Sequence, residues 1–113
     1  MHELAITEKI LEIAVPKATE MGAKRIVSIN LKLGELSDIV PDCIERYLEY
    51  SAKGTIAEGA KVKSTRIPIR ILCRECGWEG EVSRKDFKCQ ACGSLNVKLT
   101  QGREYYIDFL EVE

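Results

Sequence analysis

The sequence is poor in histidine, the side chain that most often transfers protons in catalysis. Histidine occurs only once among 113 residues, at His2. Beyond the paired cysteines, the sequence offers no evident pairing of a nucleophile with a base for nucleophilic catalysis. A glycine-rich loop of the kind that binds phosphate groups is also lacking. We therefore expect a protein that is not an enzyme.

Long apolar runs and an excess of charge are lacking as well. No stretch approaches the roughly 20 apolar residues of a membrane span, and charged side chains throughout the first twenty residues exclude the apolar core of a signal peptide. A net charge of −1 gives no overall attraction to nucleic acid or anionic lipid. We expect a cytoplasmic protein without membrane or nucleic-acid partners, in a compartment that keeps thiols reduced.

The pattern of apolar residues predicts two helices and at least three strands. Apolar positions recur at helical spacing over residues 4–21, before Gly22, and again from Pro41 to about Lys53. Apolar and polar residues alternate over 27–33, which predicts a half-buried strand with one solvated face. A second strand is predicted to end near Ile71 and a third covers the final residues, 104–113.

This order of elements predicts an α+β fold. We expect a small antiparallel or mixed sheet with two helices on one face, plus a zinc-ribbon-like insert. Residues 1–71 and 97–113 are predicted to form the α+β domain, and residues 72–96 the insert. Pro68 lacks an N–H group, so it favours an edge position or a bulge in the second strand.

The insert contains two paired cysteines in the stretch CRECGWEGEVSRKDFKCQACG. Cys73 and Cys76 form the first C-x-x-C pair, and Cys89 and Cys92 form the second, 12 residues later. Two such turns present four thiolates, which is the ligand set that tetrahedral Zn²⁺ prefers. Because four protein ligands leave no open position for water or substrate, we predict a structural zinc ion. Cys43 stands apart and is predicted to be buried in the second helix.

Two other kinds of module remain open at this point: a zinc ribbon that binds nucleic acid and one that binds protein. Charges of both signs lie between Cys73 and Cys92, which argues against a nucleic-acid surface. The basic side chains are Arg74, Arg84, Lys85 and Lys88, and the acidic ones are Glu75, Glu79, Glu81 and Asp86.

The position of the only histidine has two interpretations. A histidine near a chain end is most simply an accident of the surface. Alternatively, Ni²⁺ favours square-planar nitrogen coordination, and the amine of Met1, the amide and ring nitrogens of His2 and the amide of Glu3 can reach one ion. A helix that starts by about Leu4 would anchor this end of the chain.

The whole chain resembles the HypA family of nickel-insertion accessory proteins for [NiFe] hydrogenase. The opening MHEL is similar to the nickel motif of the family, and LKLGELSDIVPDCI to its strand-to-helix segment. The paired C-x-x-C turns and the closing GREYYIDFLEVE match as well. One difference is Gln90, which follows Cys89 where proline is common in the family.

This resemblance implies a nickel metallochaperone. Met1, His2 and Glu3 would hold the transported Ni²⁺, while Cys73, Cys76, Cys89 and Cys92 would hold structural Zn²⁺. The implied partners are a HypB-type GTPase and the [NiFe]-hydrogenase large-subunit precursor, and some members of the family also serve urease. We expect a monomer or a weak or strand-swapped homodimer.

Overall fold

A computed structural model describes residues 2–113, with His2 described by its backbone alone. That part of the chain forms two helices and six strands, and the last five strands follow one another after the second helix. Their bounds are α1 His2–Glu20, β1 Ile26–Gly34, α2 Pro41–Ser51, β2 Lys61–Ile67, β3 Arg70–Cys73, β4 Glu79–Glu81, β5 Val97–Gln101 and β6 Tyr105–Val112. The predicted α+β class is confirmed. Neither helix combines the length and the apolar character that crossing a bilayer requires.

The strands form two three-stranded sheets, ordered β2-β1-β6 and β4-β3-β5. The chain also divides into two compact units. The helical unit comprises residues up to Leu31, Ile39–Thr65 and Tyr106–Glu113. The cysteine unit comprises Lys32–Asp38 and Arg66–Tyr105. The domain boundaries expected from the sequence stay a prediction.

Helix α1 packs one row of small and aliphatic residues inward. Ile10, Ala14 and Ala18 are buried, and the helix contacts α2. Its C-terminal end is closed as predicted by Gly22, at φ 76°. The amide of Gly22 donates to the carbonyl of Thr19 (3.0 Å), one of the two hydrogen bonds of a Schellman cap.

Helix α2 begins at Pro41, as predicted, because proline is suited to the first turn of a helix. Ile44 and Leu48 are buried at i, i+4 spacing. Tyr50 does not share this buried face, since it is 75% exposed. Two residues along a helix turn the chain by about 200°, which places Tyr50 opposite Leu48.

Strand β1 is buried on both faces, so the predicted solvated face is wrong. The side chains of Ser28 and Asn30 are only 1% and 9% exposed. β1 is the central strand of its sheet, and the longer side chains of Glu111 and Lys63 on its two neighbouring strands flank these small polar side chains. Asn30 Nδ2 donates to Ser28 Oγ (2.9 Å), and the Ser28 hydroxyl donates to the carboxylate of Glu111. Lys63 Nζ lies 3.1 Å from the same carboxylate.

The expectation of an antiparallel or mixed sheet is confirmed. Arg25 and Glu113 exchange backbone hydrogen bonds, and the amide of Gly34 donates to the carbonyl of Glu104 (2.7 Å). These contacts place the start of β1 beside the end of β6, and its end beside the start of β6. In the second sheet, β3 pairs antiparallel with both β4 and β5.

The strand that was expected to continue to Ile71 is interrupted. Strand β2 ends at Ile67 and β3 begins at Arg70, on either side of Pro68. The carbonyl of Pro68 accepts a hydrogen bond from Gln101 Nε2 (2.9 Å). Because proline has no N–H group for a ladder, the chain leaves one sheet here and enters the other.

Candidate metal centre

The four cysteine sulfurs of the two C-x-x-C pairs converge in the cysteine unit. All four Sγ atoms lie within 4.8 Å of one another. Cys73 Sγ and Cys92 Sγ are 3.7 Å apart, and Cys76 Sγ and Cys89 Sγ are 3.6 Å apart. A tetrahedron with metal–sulfur bonds of about 2.3 Å has edges of about 3.8 Å. The donor set therefore has the spacing that a tetrahedral zinc ion needs.

Regular structure brings these sulfurs together. Cys73 is the last residue of β3 and pairs in register with Val97 at the start of β5. Each cysteine pair is followed by a glycine in the left-handed region, Gly77 at φ 81° and Gly93 at φ 77°. The Gly77 amide donates to the Cys73 carbonyl (3.1 Å), which closes the first turn. Glycine adopts this left-handed conformation without steric cost, so the chain can turn back after each pair.

Backbone amides point at the first sulfur of each pair. The amides of Glu75 and Cys76 lie 3.4 Å from Cys73 Sγ. In the second turn, the amides of Ala91 and Cys92 lie 3.3 and 3.4 Å from Cys89 Sγ. Hydrogen bonds to a charged sulfur favour the thiolate, which is the form that binds a metal.

The surroundings of the four thiols shift their pKa values in opposite directions. Burial raises the pKa of Cys89, but the amides of Cys92 and Ala91 outweigh burial and lower this pKa to about 6. The amide of Ser94 lowers the pKa of Cys92, but partial burial and the three neighbouring sulfurs raise it to about 12. A bound dication would supply the charge that the last thiolate needs.

A polar contact joins the two cysteine turns. The Arg74 amide donates to the Asn96 carbonyl (3.0 Å), and Asn96 Nδ2 lies 3.4 Å from Glu75 Oε1. Asn96 could not be predicted, because nothing in its neighbours marks a partner 21 residues away.

The cysteine unit also contains an apolar cluster. Its buried members are Ile69, Ile71 and Val82, with Leu36, Trp78, Val97 and Leu99 packed against them.

The basic run SRKDFK is partly neutralised within the cysteine unit. Arg84 Nη2 donates to the carboxylate of Asp38 (3.0 Å) and to the carbonyl of Glu35 (2.9 Å). One of the three basic side chains in this run therefore has an internal partner. This arrangement agrees with the sequence argument against a nucleic-acid surface.

Of the predicted nickel ligands, only Glu3 is fully described. Met1 and the side chain of His2 lie outside the described residues. Glu3 is half-buried in the first turn of the helix, and its carbonyl accepts a hydrogen bond from the buried Thr7 hydroxyl (2.7 Å). Cys43, expected to be buried, is half-buried in α2 and lies outside the sulfur cluster.

Comparison with known proteins finds full-length similarity to one family. A sequence model described as "Hydrogenase/urease nickel incorporation, metallochaperone, hypA" matches residues 1–112. A hydrogenase maturation factor HypA of Moorella thermoacetica is 38% identical over 113 residues, which cover all of both chains. A HypA of Geobacter metallireducens is 37% identical, again over the whole of both chains.

Solved structures show the same fold. A solution structure of a HypA protein superposes with a TM-score of 0.75 at 21% identity, covering all of this chain and 97% of the other. The solution structure of the Ni metallochaperone HypA from Helicobacter pylori gives a TM-score of 0.66 at 20% identity. It covers 97% of this chain and 96% of its own.

Proposed function

This chain belongs to the HypA family, and we propose that it binds Ni²⁺ at its amino terminus and delivers it to the precursor of a [NiFe] hydrogenase. Proteins of the family are metallochaperones and maturation factors, so this chain is not an enzyme. The observation that carries the proposal is the match of the family model over residues 1–112.

The chemistry of the first residues supports nickel as the cargo. The amine of Met1, the amide and ring nitrogens of His2 and the amide of Glu3 form a nitrogen set of the kind that square-planar Ni²⁺ favours. Helix α1 begins at His2, and its buried residues Ile10, Ala14 and Ala18 anchor it. We infer that this packing holds the donors in place at an otherwise frayed end.

The sulfur cluster has a different role in the proposal. Cys73, Cys76, Cys89 and Cys92 would hold a structural Zn²⁺, which supplies folding free energy to a small unit. Four protein ligands close the coordination sphere of such an ion. A terminal nitrogen site has no such closed cage, so an acceptor protein can compete for its metal. This difference supports nickel, rather than zinc, as the transported ion.

We propose partners and location on the same basis. A HypB-type GTPase would assist the transfer, the large-subunit precursor would receive the nickel, and urease is a second candidate recipient. We place the chain in the cytoplasm, a compartment that keeps thiols such as those of the sulfur cluster reduced. We expect it to work as a monomer or as a weak or strand-swapped homodimer.

Nickel titration of untagged protein tests the proposal. We expect His2→Ala to weaken Ni²⁺ binding by more than about 100-fold. Losing a group that only supports a metal ligand typically lowers metal affinity by about 10- to 100-fold, so a larger loss identifies His2 as a ligand. The matched control is His2→Ala combined with Glu8→His, which returns an imidazole to an exposed position of α1. This control should stay as weak as His2→Ala, and zinc content should be the same in all three proteins.

Two outcomes would contradict the nickel site. One is undiminished Ni²⁺ affinity in His2→Ala, and the other is full affinity in a protein whose amine is blocked by an amino-terminal extension. The alternative of a nucleic-acid module would be supported by binding to DNA or RNA that collapses as salt is added.

A further inference from the structure

The two edges of the β2-β1-β6 sheet differ in chemistry. The β2 edge carries the basic residues Lys61, Lys63 and Arg66, and Pro68 follows the strand. Lysine and proline are the residues that natural proteins place on sheet edges to prevent another strand from pairing there. The β2 edge is therefore protected against the addition of a strand.

The β6 edge carries none of these protective residues. Residues 104–113 contain no lysine, arginine or proline. Tyr105, Tyr106 and Phe109 are each about half exposed, and they are three of the seven aromatic residues of the chain. Among residues 2–113, β1 is the only strand that pairs with β6, which leaves the outer edge of β6 without a neighbouring strand.

Charge on β6 indicates what would pair with it. The carboxylates of Glu111 and Glu113 already have cationic partners, Lys63 (3.1 Å) and Arg25 (2.9 Å). Asp108, which is exposed, has no such partner in the described part of the chain. An unpaired carboxylate thus lies between half-exposed aromatic residues, on a strand with a free edge.

A second copy of the chain is a poor occupant for this edge. Two β6 strands side by side would bring together two carboxylates from each, those of Asp108 and Glu111, with no cation in either strand, and only Glu111 has a cationic partner elsewhere in the sheet. Like charges on neighbouring strands are destabilising, whereas opposite charges and aromatic–aliphatic pairs across strands are stabilising.

We propose that the outer edge of β6 accepts an extended segment of a partner protein in which basic residues alternate with aliphatic ones. The backbone of this segment would add a strand to the sheet. A basic side chain would pair with Asp108, and aliphatic side chains would cover Tyr105 and Phe109, which lie on the other face of β6. The proposal does not depend on the nickel site.

A short peptide in which lysine alternates with valine or threonine tests this surface. The peptide is N-methylated on alternate amides, so that only one of its edges can pair and it cannot form sheets with itself. We expect it to bind, and to slow amide hydrogen exchange along Tyr105–Val112. Asp108→Lys should weaken binding at least about fivefold, because an attractive cross-strand pair becomes repulsive. Thr65→Lys, at the opposite edge, should change it less than about twofold.

Controls on the peptide separate backbone pairing from simple charge attraction. A version methylated on both edges should not bind, and a version with glutamate in place of lysine should bind more weakly. The proposal would be overturned by a peptide that fails to bind the folded wild type, or by equal binding to wild type and Asp108→Lys. Dimerisation of the chain that Asp108→Lys abolishes would identify a second copy as the occupant and would also overturn it.

Discussion

Glu111 links all three strands of its sheet through one carboxylate. It accepts a hydrogen bond from the hydroxyl of Ser28 on β1 and pairs with Lys63 on β2, while it belongs to β6 itself. The Ser28 hydrogen bond and then the Lys63 charge hold the pKa of Glu111 below its ordinary value. Such a shift makes the stability of the fold depend on pH.

The sign of that dependence follows from the lowered pKa. A carboxylate whose pKa falls on folding stabilises the native state above its unfolded pKa of about 4.3, and this stabilisation disappears as pH falls through the folded pKa. We expect Glu111→Gln to have a smaller free energy of unfolding than wild type at about pH 7. The difference should shrink below about pH 4.3, as measured by urea unfolding across this range.

Comparing variants at each pH removes effects that all of them share, such as protonation of the cysteines. Glu49→Gln, on the exposed surface of α2, serves as the control and should follow wild type at every pH. A difference between Glu111→Gln and wild type that stayed constant, or grew, as pH fell would contradict the role assigned to this carboxylate.

At the scale of elements, the end of β1 depends on a close backbone approach. A Cβ atom built at Gly34 would lie 2.8 Å from the carbonyl oxygen of Glu104, and closer still to the carbonyl of Gly102. Both obstacles are backbone atoms, which cannot move aside as a flexible side chain can. The Gly34 amide also donates to the Glu104 carbonyl, so separating the chains would lengthen a hydrogen bond.

We therefore expect Gly34→Ala to lower the free energy of unfolding by about 2 kcal/mol or more. Gly22→Ala is the matched control: Gly22 has a φ of 76°, but a Cβ there meets nothing within 4 Å. Only the backbone strain of an L-residue, about 1–2 kcal/mol, applies at that site. Chemical denaturation of both variants measures the difference. Gly34→Ala with a smaller loss than Gly22→Ala would show that the approach at Gly34 relaxes easily.

The helices could be predicted because their signals are local. A long amphipathic pattern ends at Gly22, and Pro41 marks the start of the second helix. The environment of β1 could not be predicted, because alternation does not reveal whether a strand is central. Strands β4 and β5 have three and five residues, too few for a clear period. Their pairing depends on β3, which is distant from β5 in sequence.

The sulfur cluster shows the same contrast between local and distant signals. The spacing of the C-x-x-C pairs predicts that their sulfurs meet, and the structure brings them within 4.8 Å. The contact of Asn96 with Glu75 depends on how two separate turns pack, so no pattern in the sequence marks it. The buried pair Ser28 and Asn30 was misinterpreted as solvated because polar residues in an alternating strand normally face water.

At the scale of the molecule, the two compact units divide the available spectroscopic signals. Helices α1 and α2 both belong to the helical unit, so far-ultraviolet circular dichroism reports mainly on that unit. The only tryptophan, Trp78, belongs to the cysteine unit and packs against its apolar cluster. Its carbonyl also accepts a hydrogen bond from the amide of Cys73 (2.7 Å). Trp78 fluorescence is therefore a reporter of the metal centre.

Removal of zinc from the loaded protein with a chelator should affect these signals differently. Because metal binding supplies the folding free energy of such a small unit, we expect Trp78 emission to shift to longer wavelength while most of the helical signal remains. Cys73→Ser should show the shifted emission without chelator and should retain less zinc. Cys43→Ser, whose thiol lies in α2 outside the sulfur cluster, should behave as wild type. Simultaneous loss of both signals would mean that the helical unit also depends on the metal. Unchanged Trp78 emission after zinc removal would show that the apolar cluster folds without the metal.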